Sequence, residues 1–133
     1  VTGISDLSQL LKDISPTLDE TPYVFCTVQK SLAECVIFNP IATFVEREGL
    51  TLVVTKQMAD EHGLDYSCVM NKITLQVHSS LEAVGLTAAF SNALKNVDIS
   101  ANVIAGFYHD HIFVPVNDAK RAIHAIQTLA KWH

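Results

Sequence analysis

Ile73, Leu75 and Val77 alternate with Thr74, Gln76 and His78, and the alternation stops at Ser79-Ser80-Leu81-Glu82. No other stretch constrains the fold as tightly. Strict alternation marks a half-covered strand. Ser79 and Glu82 have the spacing of a capping box, in which each side chain satisfies the other's orphan amide at a helix start. The helix that follows is expected to bury Leu86, Phe90, Ala93, Leu94 and Val97. Ala101 to Phe107 and His111 to Val116 then form a hairpin across His109-Asp110. A last helix, capped by Asn117 or Asp118, turns Ala119, Ile123, Ile126 and Ala130 inward and Lys120, His124, Gln127 and Lys131 outward. Strand, helix, hairpin, helix is the front of a βαββαβ unit, the split β-α-β arrangement of ferredoxin-like folds.

The first half carries weaker versions of the same signals. Ser5-Asp6 precedes Leu7, Leu10, Leu11 and Ile14, a capped amphipathic segment that Ser15-Pro16 ends, because the residue before proline is pushed out of the helical region. Tyr23 to Val28 is apolar on both faces, so this strand is expected to be covered on both sides. Val36 to Phe38 is expected as a short strand before the Asn39-Pro40 turn. Ala42 to Glu46 and Leu50 to Thr55 flank Arg47-Glu48-Gly49, a hairpin with glycine in the bend. Lys56 to His62 reads as a short helix stopped by Gly63. Asp65-Tyr66-Ser67 divides the chain into 1–66 and 67–133. Strands and helices mixed over antiparallel sheets give an α+β sandwich.

Composition excludes several partners. The nine Lys and Arg are scattered, Lys120-Arg121 is their only adjacent pair, and the net charge is −5. Binding to nucleic-acid phosphates or to anionic lipid needs clustered cations, so neither partner is expected. No apolar run approaches the roughly 20 residues of a membrane helix. Charged residues make up 17% of the chain, below the usual share of about 25%, which points to a covered partner face. Cys26, Cys35 and Cys68 lack metal or redox spacing and are expected as reduced, idle thiols. They are expected in a cytoplasmic protein without a cleavable signal.

The run Val84-Gly85-Leu86-Thr87-Ala88-Ala89-Phe90, followed by Ile99-Ser100-Ala101-Asn102-Val103, resembles the ACT domain. With Tyr108-His109-Asp110-His111, Tyr23-Val24-Phe25-Cys26 and Glu48-Gly49-Leu50, the whole chain resembles a bacterial family of stand-alone proteins. The members of that family carry two ACT-like subdomains and have no assigned function. The pairing is similar to the tandem ACT regions of aspartate kinases and of animal cytosolic arginine sensors. The resemblance implies two interleaved ACT-like subdomains, because no fourth strand follows the last helix before Trp132-His133. That strand is expected from the N-terminal half or from another chain. Where an ACT turn usually carries aspartate, this chain has His78-Ser79-Ser80-Leu81-Glu82-Ala83-Val84 before Gly85.

Gly85 is the pivotal residue. Glycine within a helix costs about 1 kcal/mol relative to alanine, and two explanations compete. Its bare backbone either admits a ligand carboxylate to the amides of the helix start or allows close packing on the sheet. The resemblance places a small-molecule site at His78, Ser79, Ser80, Val84, Gly85 and Leu86. It also implies Asn102, Val103 and Ile104 of a neighbouring subdomain or subunit. Ser79 and Ser80 serve the helix cap first, and Asn102 has an alternative use in local backbone bonding. His109 and His111 lie two apart, so both imidazoles reach one side of a strand. They lack the third ligand a catalytic zinc needs, unless His78 supplies it. Turn chemistry is therefore the preferred reading of that pair. Neither a metal nor a cofactor is expected, and no catalytic motif is present. The sequence thus points to a non-enzymatic sensor of a small molecule, an amino acid by resemblance, acting as a homodimer. The alternative is a ligand-free interaction or assembly module of the same fold.

Overall fold

A computed structural model of the chain describes residues 15–76 and 85–131. The elements in chain order are β1 (Thr17–Val28), α1 (Leu32–Cys35), a 3-10 turn (Val36–Phe38), β2 (Ala42–Val45), β3 (Leu50–Thr55), α2 (Lys56–His62) and β4 (Val69–Leu75). They continue as α3 (Leu86–Asn96), β5 (Asn102–Ala105), β6 (Asp110–Pro115), a 3-10 turn (Val116–Asp118) and α4 (Ala119–Lys131). The expected N-terminal helix and the Ser79–Glu82 capping box lie outside the described residues.

Two compact units share the chain. One is Thr21–Met70; the other takes Asn71 onward together with the residues up to Glu20. The unit boundaries therefore fall inside β1 and inside β4. In the first unit the strand order is β2-β3-β1-β4, and in the second it is β5-β6-β4-β1. Counted as β1-β2-β3-β4 in the first unit and, with the start of β1 placed last, as β4-β5-β6-β1 in the second, both read second, third, first, fourth. This is the expected ferredoxin-like α+β architecture, and the start of β1 supplies the strand that the second unit's own sequence lacks.

Each unit has its own core. In the first, Val24 and Cys26 of β1 and Leu50, Leu52 and Val54 of β3 pack with Cys35, Phe38 and Ala59 from the helical segments. The pairing Val24↔Val54 and Cys26↔Leu52 is antiparallel, so directly paired residues share a face and the alternate positions meet the helices. In the second, Ile73, Leu75, Ile112 and Val114 receive Leu86, Phe90 and Leu94 of α3 and Ala119, Ala122 and Ile126 of α4. The spacing of the apolar residues on α3 and α4 is the helical one anticipated. Val97, however, ends α3 exposed rather than buried, and Ile123 is only partly buried.

Three local expectations change. Val36–Phe38 is a 3-10 turn, not a strand, because Ser31 and Glu34 start a helical turn just before it. The Ser31 hydroxyl accepts from the Glu34 amide at 3.2 Å and the Glu34 carboxylate from the Ser31 amide at 3.0 Å. Phe38 alone of the three is buried, so no alternating face exists for a strand to cover. The second hairpin turns at Phe107-Tyr108 rather than at His109-Asp110. The Gly106 amide donates to the His109 carbonyl at 2.9 Å, and Asp110 already belongs to β6. Finally, β1 is covered on both sides only in part, since Thr27 is exposed while Val24 is fully buried.

Candidate functional site

The anticipated site is only partly described, since His78, Ser79, Ser80 and Val84 lie outside the described residues. Gly85 stands at the described start of α3 with φ at 92°, a left-handed conformation that glycine adopts without steric cost. This backbone requirement is a third reason for glycine, beside ligand access and close packing. No side chain caps the helix at Gly85, and the Ala89 amide donates to its carbonyl at 2.9 Å. Leu86 is almost fully buried in the core, so its side chain is not available to a ligand.

Asn102, Val103 and Ile104 are on β5 at the outer position of the order β4-β6-β5. The strand next to β4 is therefore β6, and Asn102–Ile104 are not neighbours of the Gly85 junction within the unit. Asn102 and Val103 are exposed and Ile104 is half-buried. The expected contribution of Asn102–Ile104 to the junction is one from a neighbouring subdomain or subunit.

The two histidines of the second hairpin sit with ring centroids 6.4 Å apart. His111 Nδ1 is 2.9 Å from the Thr74 hydroxyl. Burial, together with Lys72 and His109, pushes the His111 imidazole below its ordinary pKa. His109 Nδ1 is buried without a hydrogen-bond partner among the described residues. Among those residues no three His, Cys, Asp or Glu converge as a metal site. Burial, and to a lesser degree Asp65, pushes the Cys26 thiol up, away from the reactive thiolate form.

A better-described hand-over from strand to helix occurs in the first unit. β1 ends at Val28, and Gln29, Lys30 and Ser31 lead into α1. Facing them is the β2–β3 hairpin, whose two-residue turn Arg47-Glu48 is closed by the Glu46 amide donating to the Gly49 carbonyl at 3.0 Å. Between them lies a cleft of about 360 Å³, lined in part by Gln29, Lys30, Ser31, Glu46, Arg47 and Gly49. Gln29 Nε2 donates to the Glu48 carbonyl at 2.6 Å, which ties the strand end to the hairpin tip. Glu46 accepts from the Thr51 hydroxyl. The cleft thus combines two cations, a carboxylate, an amide and a hydroxyl. A larger groove of about 560 Å³ between α3 and α4 mixes Ala89, Ala93, Val97, Ala125 and Leu129 with Asn92, Asn96, Arg121, His124 and Thr128, and no carboxylate lines it. Its one guanidinium, Arg121, is held by Asp118 and by the Val97 carbonyl. Convergent polar groups mark ligand sites, and of these two the smaller cleft alone is lined by charges of both signs, Lys30 and Arg47 with Glu46, so it is the stronger candidate for a zwitterion.

Sequence reasoning missed Gln29, Lys30 and Arg47, although a signal was present. Val28-Gln29-Lys30-Ser31-Leu32 aligns with Val77-His78-Ser79-Ser80-Leu81 when the halves are matched at the strand end. His78, Ser79 and Ser80 correspond in this alignment to Gln29, Lys30 and Ser31.

The ACT domain family matches the chain twice, over residues 2–71 and 69–128. A Vibrio cholerae protein of unknown function, described as a possible transport protein, has a similar structure. It is 51% identical, with a TM-score of 0.90 over 97% of this chain and 99% of that one. The regulatory subunit of aspartate kinase from Thermus thermophilus, in its ligand-free form, shares the fold at 11% identity. Its TM-score is 0.62, covering 88% of this chain and 98% of that one. The corresponding subunit from Thermus flavus matches at 10% identity and a TM-score of 0.66, with the same coverage. No curated protein matches the chain. Among the described residues no helix is long and apolar enough to cross a membrane.

Proposed function

The chain belongs to the ACT domain family, and we propose that it is a regulatory module that binds a small amino acid and performs no chemistry itself. The observation that carries this reading is the polar cleft where β1 hands over to α1, with Lys30 and Arg47 on its wall together with Glu46. A zwitterion needs both signs of charge within a few ångströms, and a cleft of this size suits a molecule of under a dozen heavy atoms. Lys30 and Arg47 would receive the carboxylate, and Glu46 the ammonium. The second unit would use the aligned residues His78, Ser79 and Ser80 with the backbone near Val84, Gly85 and Leu86. Asn102, Val103 and Ile104 would come from a partner copy. Regulatory use is suggested by the aspartate kinase subunits that share the fold. We place the protein in the cytoplasm and pair it as a homodimer, since closed twofold pairs dominate soluble homo-oligomers. The ligand would act by favouring one arrangement of the pair through its differential affinity.

Thermal melting of the full chain against each free amino acid tests this. A ligand at 100 times its Kd adds about 2.7 kcal/mol, a shift easily resolved. The double variant Lys30→Ala, Arg47→Ala should lose it. A flat panel across all amino acids would favour the ligand-free assembly module instead.

A further inference from the structure

Charge is spread unevenly along this chain. Its net charge is −5, yet α3 and α4 hold Lys95, Lys120, Arg121 and Lys131 and not one Asp or Glu. The groove between these two helices shares that bias, since no carboxylate lines it. At about 560 Å³ it has the capacity of a small-molecule site. It shares no residue with the amino-acid cleft of the first unit.

The groove has two chemically distinct ends. Arg121, near the start of α4, donates to the Val97 carbonyl just past the end of α3. The helices therefore run antiparallel, with Asn96 and Arg121 at one end and Ala89 and Leu129 at the other. Ala89, Ala125 and Leu129 also pack on the core, so the floor is hydrocarbon, and alanine keeps it deep. Ala89 to Asn96 is seven steps of helix, a length of about 10 Å. At the polar end Arg121 is fixed before any ligand arrives. Asp118 takes one of its N–H groups at 2.9 Å and the Val97 carbonyl takes another. A guanidinium carries five such donors, so three remain, and the side chain is 56% exposed. Asn92 and Asn96 add neutral donors one turn apart on the facing wall, and His124 follows Arg121 on α4. Asp118 offsets part of the arginine's charge from outside the lining.

We propose that the groove between α3 and α4 binds a carboxylate with a short, unbranched apolar body. The head meets Arg121, Asn96 and His124, and the body lies along Ala93, Ala125 and Leu129. A fixed guanidinium recognises a carboxylate through charge-assisted hydrogen bonds, and the alanine floor rewards the burial of hydrocarbon. A free amino acid fits poorly, because no carboxylate receives its ammonium. A bare inorganic anion fits poorly as well, because it leaves the apolar end of the groove uncovered.

Octanoate, whose length matches the groove, is the probe. Titrated into the nitrogen-15-labelled full chain, it should shift the amides of α3 and α4 saturably. Acetate has the head without the body and 1-octanol the body without the head, so each should bind at least about tenfold more weakly. Asn92→Asp keeps the shape of the wall but adds a carboxylate, and should weaken octanoate about tenfold while leaving octanol as it was. Ala93→Phe fills the floor and should abolish binding of both. If Ala93→Phe fails to fold, Asn92→Asp with the octanol comparison decides. The proposal is overturned by unshifted α3 and α4 amides at millimolar octanoate, which would leave this face to a protein partner. Equal affinity for octanol, or octanoate binding indifferent to Asn92→Asp, would overturn it too. The result is independent of the amino-acid cleft, whose failure appears instead as an absent thermal shift across the amino-acid panel.

Discussion

A Cβ at Gly49 would stand 2.8 Å from Gln29 Nε2, so the hairpin tip and the strand end touch where no side chain fits. Thr27 Oγ1 is equally close and the Val28 carbonyl is at 3.0 Å. Two of those atoms have no slack: one is backbone and another is held by a β-branched residue. The glycine is thus set by crowding, not by backbone handedness.

Gly49→Ala is accordingly expected to push Gln29 off the Glu48 carbonyl and to widen the cleft. Overpacking of this kind costs about 1–3 kcal/mol. Urea unfolding should report the loss. The same variant should weaken any amino-acid shift of the melting temperature beyond what the lost stability explains, if the cleft is the binding site. An unchanged midpoint would mean the hairpin tip yields freely.

At the far end of the same hairpin, Thr55 starts α2 by accepting the Met58 amide at 3.1 Å, and Gly63 ends the helix in a left-handed conformation. Thr55→Ala leaves that amide without its partner and should cost about 1 kcal/mol. Gly63→Ala meets no neighbouring atom, so its cost is purely conformational, about 1–2 kcal/mol. Chemical denaturation of both variants separates the two causes: restoring a hydroxyl with Thr55→Ser should recover most of the first loss, while Gly63→Asn should recover part of the second.

Much of this architecture was readable from the chain. Ile73 and Leu75 alternate as a strand does, and Leu86, Phe90 and Leu94 recur as one helical face does, and all five are buried. Periodicity is a local consequence of burial, so it survives in the sequence. The exceptions have equally physical causes. The start of β1, Thr17-Leu18-Asp19-Glu20-Thr21-Pro22, has little of the β-branched or aromatic character of strands. It is held instead by tertiary partners, including Lys72 with its ammonium 3.8 Å from the Asp19 carboxylate. Val36-Ile37-Phe38 looked like a strand because apolar runs shorter than a helix carry no period. The cleft was illegible for a different reason: Gln29, Lys30 and Arg47 are ordinary surface residues until the fold brings a strand end and a hairpin tip together. Only the repeat of Ser31-Leu32 in Ser80-Leu81 hinted at it.

Phe90 is fully buried between α4 and the strands Ile73–Leu75 and Ile112–Val114. Phe90→Ala should cost about 3–5 kcal/mol through lost transfer energy and the cavity left behind. Because the two cores are separate sets of residues, hydrogen exchange should show the loss first among the amides of β4, β6 and α4. Uniform loss of protection in β3 as well would show that the units unfold as one.

His111 makes the stability depend on pH in a direction that can be derived. Its folded-state pKa lies below the ordinary 6.5, first because the ring is partly buried and then because Lys72 and His109 oppose a further positive charge, with Asp110 acting the other way. Over the interval between the folded and unfolded pKa values the unfolded chain holds a proton that the native chain does not, so stability rises with pH there. The contribution is complete above about pH 6.5 and is lost as the pH falls from that value towards the depressed one. In the tautomer with the proton on Nε2, protonation also removes Nδ1 as an acceptor for the Thr74 hydroxyl, which stands 2.9 Å away. Melting temperatures from pH 7.5 down to 5.5 should therefore fall, and His111→Asn should flatten the slope over that window while lowering stability at pH 7.5. Thr74→Val, which leaves the ring and its charge neighbours in place, should keep most of the slope. If His111→Asn melts with the same pH slope as the wild type, the acid sensitivity belongs to other groups and His111 stays uncharged for no measurable gain.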